Sequence, residues 1–332
     1  MRETLKSLYR TCLLVALITA ACVVTLGAYV RLSDAGLGCP DWPGCYGKLV
    51  GVPEHAHEID AAQQAFPTAP VEAPKAWKEM IHRYIAGALG LMILALAVAA
   101  RREKRRVGWP YALVLLVAFQ AALGMWTVTM LLKPAIVTLH LLGGLSTFAI
   151  LLGLWWQERL QRKPLQVSAQ AIRLQPWVWL VFGLVIVQIT LGGWTSTNYA
   201  AMACPDYPMC QGQWMPTMDW EHAFTVNREL GQTASGEGLP LPSLVAIHWL
   251  HRWLAIVVVA ALLVLGWRLR KLGWRAFGMA LMHTVLLQWL IGVSNVWLQW
   301  PLSLAVLHNT GALLVLSATL VTALSLHHVA HR

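Results

Sequence analysis

The chain has 332 residues, of which 58% are hydrophobic and 12% are charged. Soluble globular proteins carry about 45–50% apolar and about 25% charged residues, so this composition excludes ordinary soluble, fibrous and disordered classes. The formal net charge of +10 would suit a nucleic-acid-binding protein, but the basic residues are divided among several separate connections. The composition therefore predicts a polytopic membrane protein.

Eight apolar stretches are long enough to cross a bilayer as helices, which takes about 20 residues each. They comprise residues 11–30, 81–100, 109–130, 135–156, 176–197, 244–266, 276–298 and 303–326. The sequence therefore predicts an all-α membrane protein with eight transmembrane helices.

The connections between these stretches differ in charge. Most Lys and Arg residues lie in the N-terminal segment and in the connections after the second, fourth and sixth stretches. Most acidic residues lie in the other connections. Basic connections stay on the cytoplasmic side of a membrane, so both termini are predicted to be cytoplasmic. The basic residues are expected to bind anionic lipid head groups and no nucleic acid.

Two long outer loops, residues 31–80 and 198–243, each contain a pair of cysteines separated by five residues. The pairs are Cys39 with Cys45 and Cys204 with Cys210. The compartment outside the cytoplasmic membrane is oxidising, which favours a disulfide within each loop. Free thiols are the alternative.

The two halves of the chain repeat each other. Gly27–Gly47 matches Gly192–Gly212, and both segments contain Cys-Pro-Asp, an aromatic residue, and Pro-x-Cys. Each half holds four apolar stretches, so both halves enter the membrane in the same sense. This pattern predicts two four-helix bundles related by a pseudo-two-fold axis along the membrane normal. The predicted boundaries are an N-terminal bundle over 1–157, a cytoplasmic linker over 158–175 and a C-terminal bundle over 176–332.

Four histidines occupy matching positions near the predicted outer ends of the even-numbered stretches. They are His82, His140, His251 and His308. Ionisable residues within a membrane are costly and usually functional. Two imidazoles at similar depth on facing helices of one bundle suit the axial ligation of a haem. Hydrogen-bonded packing is the alternative for any single histidine.

Several polar residues accompany these histidines. Glu79 lies one helical turn before His82, where it could exchange a proton or polarise a substrate, or simply be solvated at the helix entrance. Arg83 and Arg252 follow the first histidine of each half, and each could pair with haem propionates or extend to lipid head groups. The matching Gln120 and Gln288 are predicted to hydrogen-bond between helices.

At these residues the sequence resembles the haem A synthase family of respiratory membranes, over essentially the whole chain. The resemblance is carried by the segment from Gly27 to Pro43, by Glu79-Met-Ile-His82-Arg83 and by His251-Arg252. The cysteine pairs resemble the bacterial branch of the family. The resemblance implies an oxidoreductase of the bacterial inner membrane. It would oxidise the C8 methyl group of haem O to a formyl group by successive hydroxylations, giving haem A for terminal oxidases.

The resemblance also implies roles for individual residues. His82 and His140 would be the axial ligands of the substrate haem, and Glu79 would be the catalytic carboxylate. A permanent haem b would lie between His251 and His308 in the C-terminal half. The sequence has no dinucleotide-binding fingerprint, so electrons would come from an external donor. Haem O would arrive from the membrane, with haem O synthase as a candidate source, and a homo-oligomer is left open.

Two other functions are compatible with paired histidines in a membrane. A di-haem b electron carrier would move electrons without altering either haem, but all four histidines are predicted on one side of the bilayer. A haem or ion transporter built from parallel repeats would use the histidines as substrate ligands. The sequence favours the synthase over both.

Overall fold

The structure is a computed structural model that describes residues 2–163, 165 and 169–330, with the side chains of residues 2–8 and 169 excepted. Over these residues it is nearly all helical and has no β-strand. The α-helices are α1 (Arg2–Leu32), α2 (Ala56–Ala65), α3 (Ala73–Arg102), α4 (Gly108–Thr129), α5 (Pro134–Arg162), α6 (Ala169–Ile172), α7 (Gln175–Thr197), α8 (Trp220–Ala223), α9 (Leu241–Lys271), α10 (Arg275–Trp297) and α11 (Leu302–Ala330).

Eight of the helical segments in the described part of the chain are long and apolar enough to cross a membrane. They are α1, α3, α4, α5, α7, α9, α10 and α11, and each matches one of the predicted stretches, which extend at most one residue past the end of the helix. Large apolar side chains such as Leu91 and Leu115 are about 70% exposed (70% and 73%). Such exposure suits contact with lipid, because a bilayer does not penalise apolar surface as water does. The predicted all-α membrane fold with eight spans is confirmed.

The repeat is visible in the backbone as well as in the sequence. The turn between α4 and α5 has positive φ angles at Leu131 and Leu132, and the turn between α10 and α11 has them at Gln299 and Trp300. Non-glycine residues adopt such angles only rarely. Their occurrence as consecutive pairs at matching positions shows that the two halves use the same turn.

The contacts between Cα atoms divide the chain into two compact units, Met1–Phe148 and Ala149–Arg332. We call them unit 1 and unit 2. The division falls within α5, and part of the linker predicted at 158–175 lies outside the described residues. The domain boundaries 1–157, 158–175 and 176–332 stay a prediction, as does the two-bundle arrangement.

In unit 1, α3 packs against both α1 and α4. Leu13 of α1 and Leu96 of α3 are among its fully buried side chains. The loop between α1 and α3 carries α2 and forms a second apolar cluster around Cys39, Cys45 and Met80. This cluster attaches the loop to the first turns of α3.

In unit 2, α7 and α10 each contact both α9 and α11. Val178, Val185, Leu262 and Leu281 contribute to the apolar core that these four helices share. Every helix of the four therefore has two neighbours, which is the arrangement needed to hold a group between facing side chains.

Candidate functional sites

Both predicted disulfides are present. Cys39 is bonded to Cys45 in unit 1, and Cys204 is bonded to Cys210 in unit 2. We call the segments that they close the first and second disulfide loops. The alternative of free thiols is excluded for these four cysteines.

The Asp of the repeated motif organises each disulfide loop. The Asp41 carboxylate accepts hydrogen bonds from the backbone N–H groups of Tyr46 and Gly47, at 2.7 and 2.8 Å. Asp206 accepts equivalent bonds from Gln211 and Gly212, at 2.6 and 2.8 Å. These bonds satisfy backbone donors that would otherwise be unpaired in a tight turn, so the carboxylates of the motif have a structural role.

The four predicted ligand histidines come together in two pairs, one in each unit. His82 of α3 faces His140 of α5 closely enough for charges on their rings to interact. His251 of α9 faces His308 of α11 in the same way. All four side chains are only half-buried. Each pair can therefore present two imidazoles to a group that lies between the helices.

A glycine lies against each of these four imidazole rings. A Cβ atom added at the glycine would lie between 2.9 and 3.4 Å from the Cε1 atom of the ring. The pairs are Gly27 with His82, Gly124 with His140, Gly192 with His251 and Gly292 with His308. Ordinary side chains at these positions would displace the rings, so the glycines are part of both sites. Sequence reasoning missed this role, although the glycines match in the repeat.

The two units differ in how the Nδ1 atoms of the imidazoles are bound. In unit 2 the Gln188 amide nitrogen lies 3.0 Å from His251 Nδ1, and the Gln288 amide nitrogen lies 3.3 Å from His308 Nδ1. In unit 1 the Nδ1 atoms of His82 and His140 are buried and have no hydrogen-bond partner among the described residues. The predicted interhelical hydrogen bond of Gln288 is thus present.

Glu79 is buried at the start of α3 beneath the first disulfide loop, with 5% of its surface exposed. Its Oε2 atom accepts a hydrogen bond from the backbone N–H of Cys39 at 2.9 Å. Its Oε1 atom forms an ion pair with Arg83, one helical turn further along α3. The alternative of a solvated residue at the helix entrance is therefore wrong.

The predicted arginines hold the disulfide loops. Arg83 Nη1 donates to the carbonyl oxygens of Asp41 and Gly44, at 3.0 and 2.5 Å. Arg252 Nη1 donates to Asp206, and Arg252 Nη2 to Cys204, each at 2.6 Å. Neither side chain is exposed, so the alternative of extension to lipid head groups is wrong. Contact with haem propionates stays a prediction.

In unit 2 a histidine stands where unit 1 has its buried carboxylate. His248 is buried, and its Nε2 atom accepts a hydrogen bond from Arg252 Nε at 3.1 Å. A ring nitrogen that accepts a hydrogen bond carries no proton, so this imidazole is neutral. The pairing of Glu79 with Arg83 brings a negative charge to unit 1 that unit 2 does not have at the matching position.

The two histidine pairs suit a metal that is held inside a macrocycle better than they suit a bare metal ion. No group of three or more His, Cys, Asp or Glu side chains that could hold a metal ion occurs among the residues that the structure describes. A haem needs only two axial ligands from the protein because its porphyrin supplies the other four. Paired, half-buried imidazoles backed by glycines therefore fit a haem.

These features define an integral membrane protein with eight candidate spans and two equivalent paired-histidine sites, each attached to a disulfide loop. Residues 10–320 match the family model COX15-CtaA, described as cytochrome oxidase assembly protein. The chain belongs to this family.

Curated relatives with the name Heme A synthase align over most of their length. The protein from Shewanella oneidensis is 44% identical over 312 residues, which cover 93% of each chain. The protein from Sphingopyxis alaskensis is 30% identical over 337 residues, with 93% of this chain and 88% of that one covered. The protein from Novosphingobium aromaticivorans is 30% identical over 335 residues, covering 90% of this chain and 89% of that one.

Proposed function

We propose that the protein is a haem A synthase, an oxidoreductase that converts haem O to haem A for terminal oxidases. The observation that carries this proposal is the buried Glu79 carboxylate, paired with Arg83 and one helical turn before His82 of one of the two matching histidine pairs. The names of the relatives, which align with nearly the whole chain, support the same reaction.

In this proposal unit 1 is the reaction site, and His82 and His140 are the axial ligands of the substrate haem. The bound haem would supply the iron chemistry for two successive hydroxylations of its C8 methyl group, each consuming one O2, two electrons and two protons and releasing one water. The resulting gem-diol then loses water to give the formyl group. Glu79 is the catalytic carboxylate that holds or receives protons released at the reacting carbon. Arg83 and the Cys39 backbone N–H keep this carboxylate in place.

Unit 2 is proposed to bind a resident haem b between His251 and His308. That haem would transfer electrons that an external donor supplies. A second imidazole, His248, replaces the carboxylate here, which fits a site that transfers electrons and carries out no proton-coupled step on a substrate. Arg83 and Arg252 are proposed to contact haem propionates in addition to the loop carbonyls.

The cellular setting follows from the same proposal. The enzyme would lie in the bacterial cytoplasmic membrane with both termini in the cytoplasm, because its basic connections favour that orientation. Haem O would enter from the lipid phase, with haem O synthase as its source, and haem A would pass to an oxidase under assembly. The relatives reported above give no support to the alternative of a di-haem b electron carrier.

The proposal is tested by extracting haem from the purified chain produced together with haem O, followed by chromatography and mass spectrometry. Haem B together with haem O, haem A or a hydroxylated intermediate is expected. His82→Ala should lose the haem O derivatives, and His251→Ala should lose haem B. His283→Ala is the matched control, because His283 is exposed on α10. Two equivalents of haem B alone would contradict a synthase.

A further inference from the structure

The two histidines of unit 2 are each held by a glutamine from a neighbouring helix. Gln188 of α7 places its amide nitrogen 3.0 Å from His251 Nδ1 and 3.0 Å from the His251 carbonyl oxygen. Gln288 of α10 places its amide nitrogen 3.3 Å from His308 Nδ1, 3.5 Å from His308 Nε2 and 2.9 Å from the His308 carbonyl oxygen. Each amide thus contacts both the ring and the backbone of its histidine.

Unit 1 has no such contact at His82. The matching of Thr25-Leu26-Gly27 with Thr190-Leu191-Gly192 aligns Val23 with Gln188. The valine side chain cannot donate or accept a hydrogen bond. His82 Nδ1 is accordingly buried without a hydrogen-bond partner in the described part of the chain.

The second histidine of unit 1, His140, differs from His308 in its contact with the neighbouring glutamine. Gln120 occupies the position of Gln288, but its amide nitrogen has no hydrogen-bond partner among the described residues, and neither does His140 Nδ1. The backbone carbonyl of Gln120 is close enough to the His140 ring to accept a hydrogen bond from a ring N–H group, so His140 has a backbone partner in place of a side-chain one. The glutamine side chain itself does not hold the ring as Gln288 does.

A partner at Nδ1 matters because a metal-binding imidazole uses its other nitrogen for the metal. The hydrogen bond at the second nitrogen fixes the orientation of the ring and makes it a stronger ligand, and its loss typically weakens metal binding about 10- to 100-fold. An imidazole that binds iron through Nε2 carries its proton on Nδ1 and therefore needs an acceptor there. As it stands, the amide nitrogen of Gln188 or Gln288 donates to Nδ1, which fits a ring protonated on Nε2. When Nε2 binds iron, the amide must turn so that its Oε1 atom, buried and without a partner among the described residues, accepts from Nδ1–H. That turn gives up the hydrogen bond from the amide nitrogen to the histidine carbonyl oxygen.

We propose that Gln188 and Gln288 are positioning residues that fix His251 and His308 as tight ligands, and that the lack of such an anchor at His82 makes unit 1 a site of exchange. This inference rests on the proposed function, which assigns a resident haem b to unit 2 and the substrate haem to unit 1. It explains how two matching histidine pairs can bind a resident haem b in unit 2 and a substrate haem that dissociates from unit 1 after the reaction.

The test measures the rate at which haem b passes from the purified full-length chain to an excess of apomyoglobin. Gln188→Val, which copies the residue of unit 1, and Gln288→Leu should each lose haem b about 10-fold faster or more. Their low-spin electron paramagnetic resonance signal should also shift, because the rings are no longer held in one orientation. Gln175→Val is the matched control, since Gln175 contacts His327 Nδ1 at 3.1 Å in a different Gln–His pair.

Two further variants keep the test valid if Gln188→Val fails to fold. Gln188→Glu retains an acceptor for Nδ1–H and should keep haem b at least as firmly as the original chain. Val23→Gln should give His82 the anchor that it lacks, so that more haem O or haem A remains in unit 1 after purification.

The outcomes separate the inference from the proposed function. If the original chain contains haem b and the Gln188 and Gln288 variants release it at the original rate with an unchanged spectrum, the inference is wrong and the proposed function stands. If the original chain contains no haem b at all, the proposed role of unit 2 is wrong and the inference fails with it.

Discussion

Glu79 and Arg83 form an ion pair one turn apart on α3, and both side chains also bind the backbone of the first disulfide loop. The matching residues of unit 2, His248 and Arg252, are joined by a hydrogen bond in which the imidazole is neutral. The loop, the carboxylate and the start of α3 therefore form one connected structure in unit 1. A substitution in any one of these three parts should therefore alter the position of the other two.

Replacing Glu79 with Gln should lower haem A formation about 100-fold or more, the usual contribution of a general acid or base. The amide can still accept the Cys39 N–H bond, so the loop should stay in place while the charge is lost. The measurement is the ratio of haem A to haem O in membranes. Glu72 has an exposed carboxylate directly before the start of α3, so Glu72→Gln should leave the ratio of haem A to haem O unchanged. Normal haem A formation by Glu79→Gln would refute a catalytic role for this residue.

Replacing Arg83 with Met should destabilise unit 1 by about 3–5 kcal/mol, because it leaves a buried carboxylate without its partner. The double variant Arg83→Met/Glu79→Gln should recover part of this loss, since the unpaired charge is then gone. Thermal unfolding in detergent measures both effects. Equal destabilisation by the single and double variants would show that the loop carbonyls, rather than the ion pair, account for the contribution of Arg83.

Breaking the Cys39–Cys45 disulfide should reduce haem A formation by releasing the backbone that binds Glu79 and Arg83. Cys39→Ser/Cys45→Ser removes both thiols, and hydrogen exchange of residues 39–48 should become faster. The corresponding Cys204→Ser/Cys210→Ser variant loosens the loop above His248 and serves as the comparison. It should leave hydrogen exchange of residues 39–48 unchanged. An unaltered exchange rate after loss of Cys39 and Cys45 would show that Arg83 and Glu79 hold the loop without the disulfide.

Replacing Gly192 with Val should displace the His251 ring and cause loss of haem b from unit 2. A Cβ atom at Gly192 would lie 3.1 Å from His251 Cε1, whereas one at Gly183, on the same helix, would meet no atom within 4 Å. Gly183→Val is therefore the matched control for the cost of valine in α7. The haem b content of the purified variants checks the prediction. Equal haem b content in the two variants would contradict the role of Gly192.

The contact of Glu58 with Lys48 should make the loop between α1 and α3 sensitive to acid. Hydrogen bonds from Lys48 and from the backbone of Glu54 and His55 lower the pKa of Glu58 from 4.5 to about 2. A lowered pKa in the folded state means that the contact stabilises the loop above pH 4.5 and is lost as the pH falls towards 2. Exchange protection of the Glu54 and His55 amides, corrected for intrinsic rates, should fall over this range. In Glu58→Gln, whose side-chain amide can still accept these hydrogen bonds but has no titrating proton, the protection should be independent of pH.

The sequence alone determined the helical fold with its eight candidate membrane spans and the main candidates for chemistry. A membrane span must be long, helical and apolar, so the eight spans could be read directly from the lengths of the apolar stretches. The repeat identified His82, His140, His251 and His308 together, because matching ionisable residues in apolar helices have few structural explanations. The cysteine pairs could be predicted because each loop is short and its compartment is oxidising.

Contacts between different helices were decided by the tertiary structure. The burial of Glu79 and the attachment of Arg83 to loop carbonyls depend on how the first disulfide loop folds back onto α3. The contact of Gln188 with His251 joins residues on α7 and α9 that are far apart in the chain. Spacing along one helix shows which residues share a face, but the neighbour that this face meets is set by packing. The difference between Val23 and Gln188 in the repeat therefore becomes interpretable only from the structure, in which the Gln188 amide contacts His251 Nδ1 and the matching Nδ1 of unit 1 has no hydrogen-bond partner among the described residues.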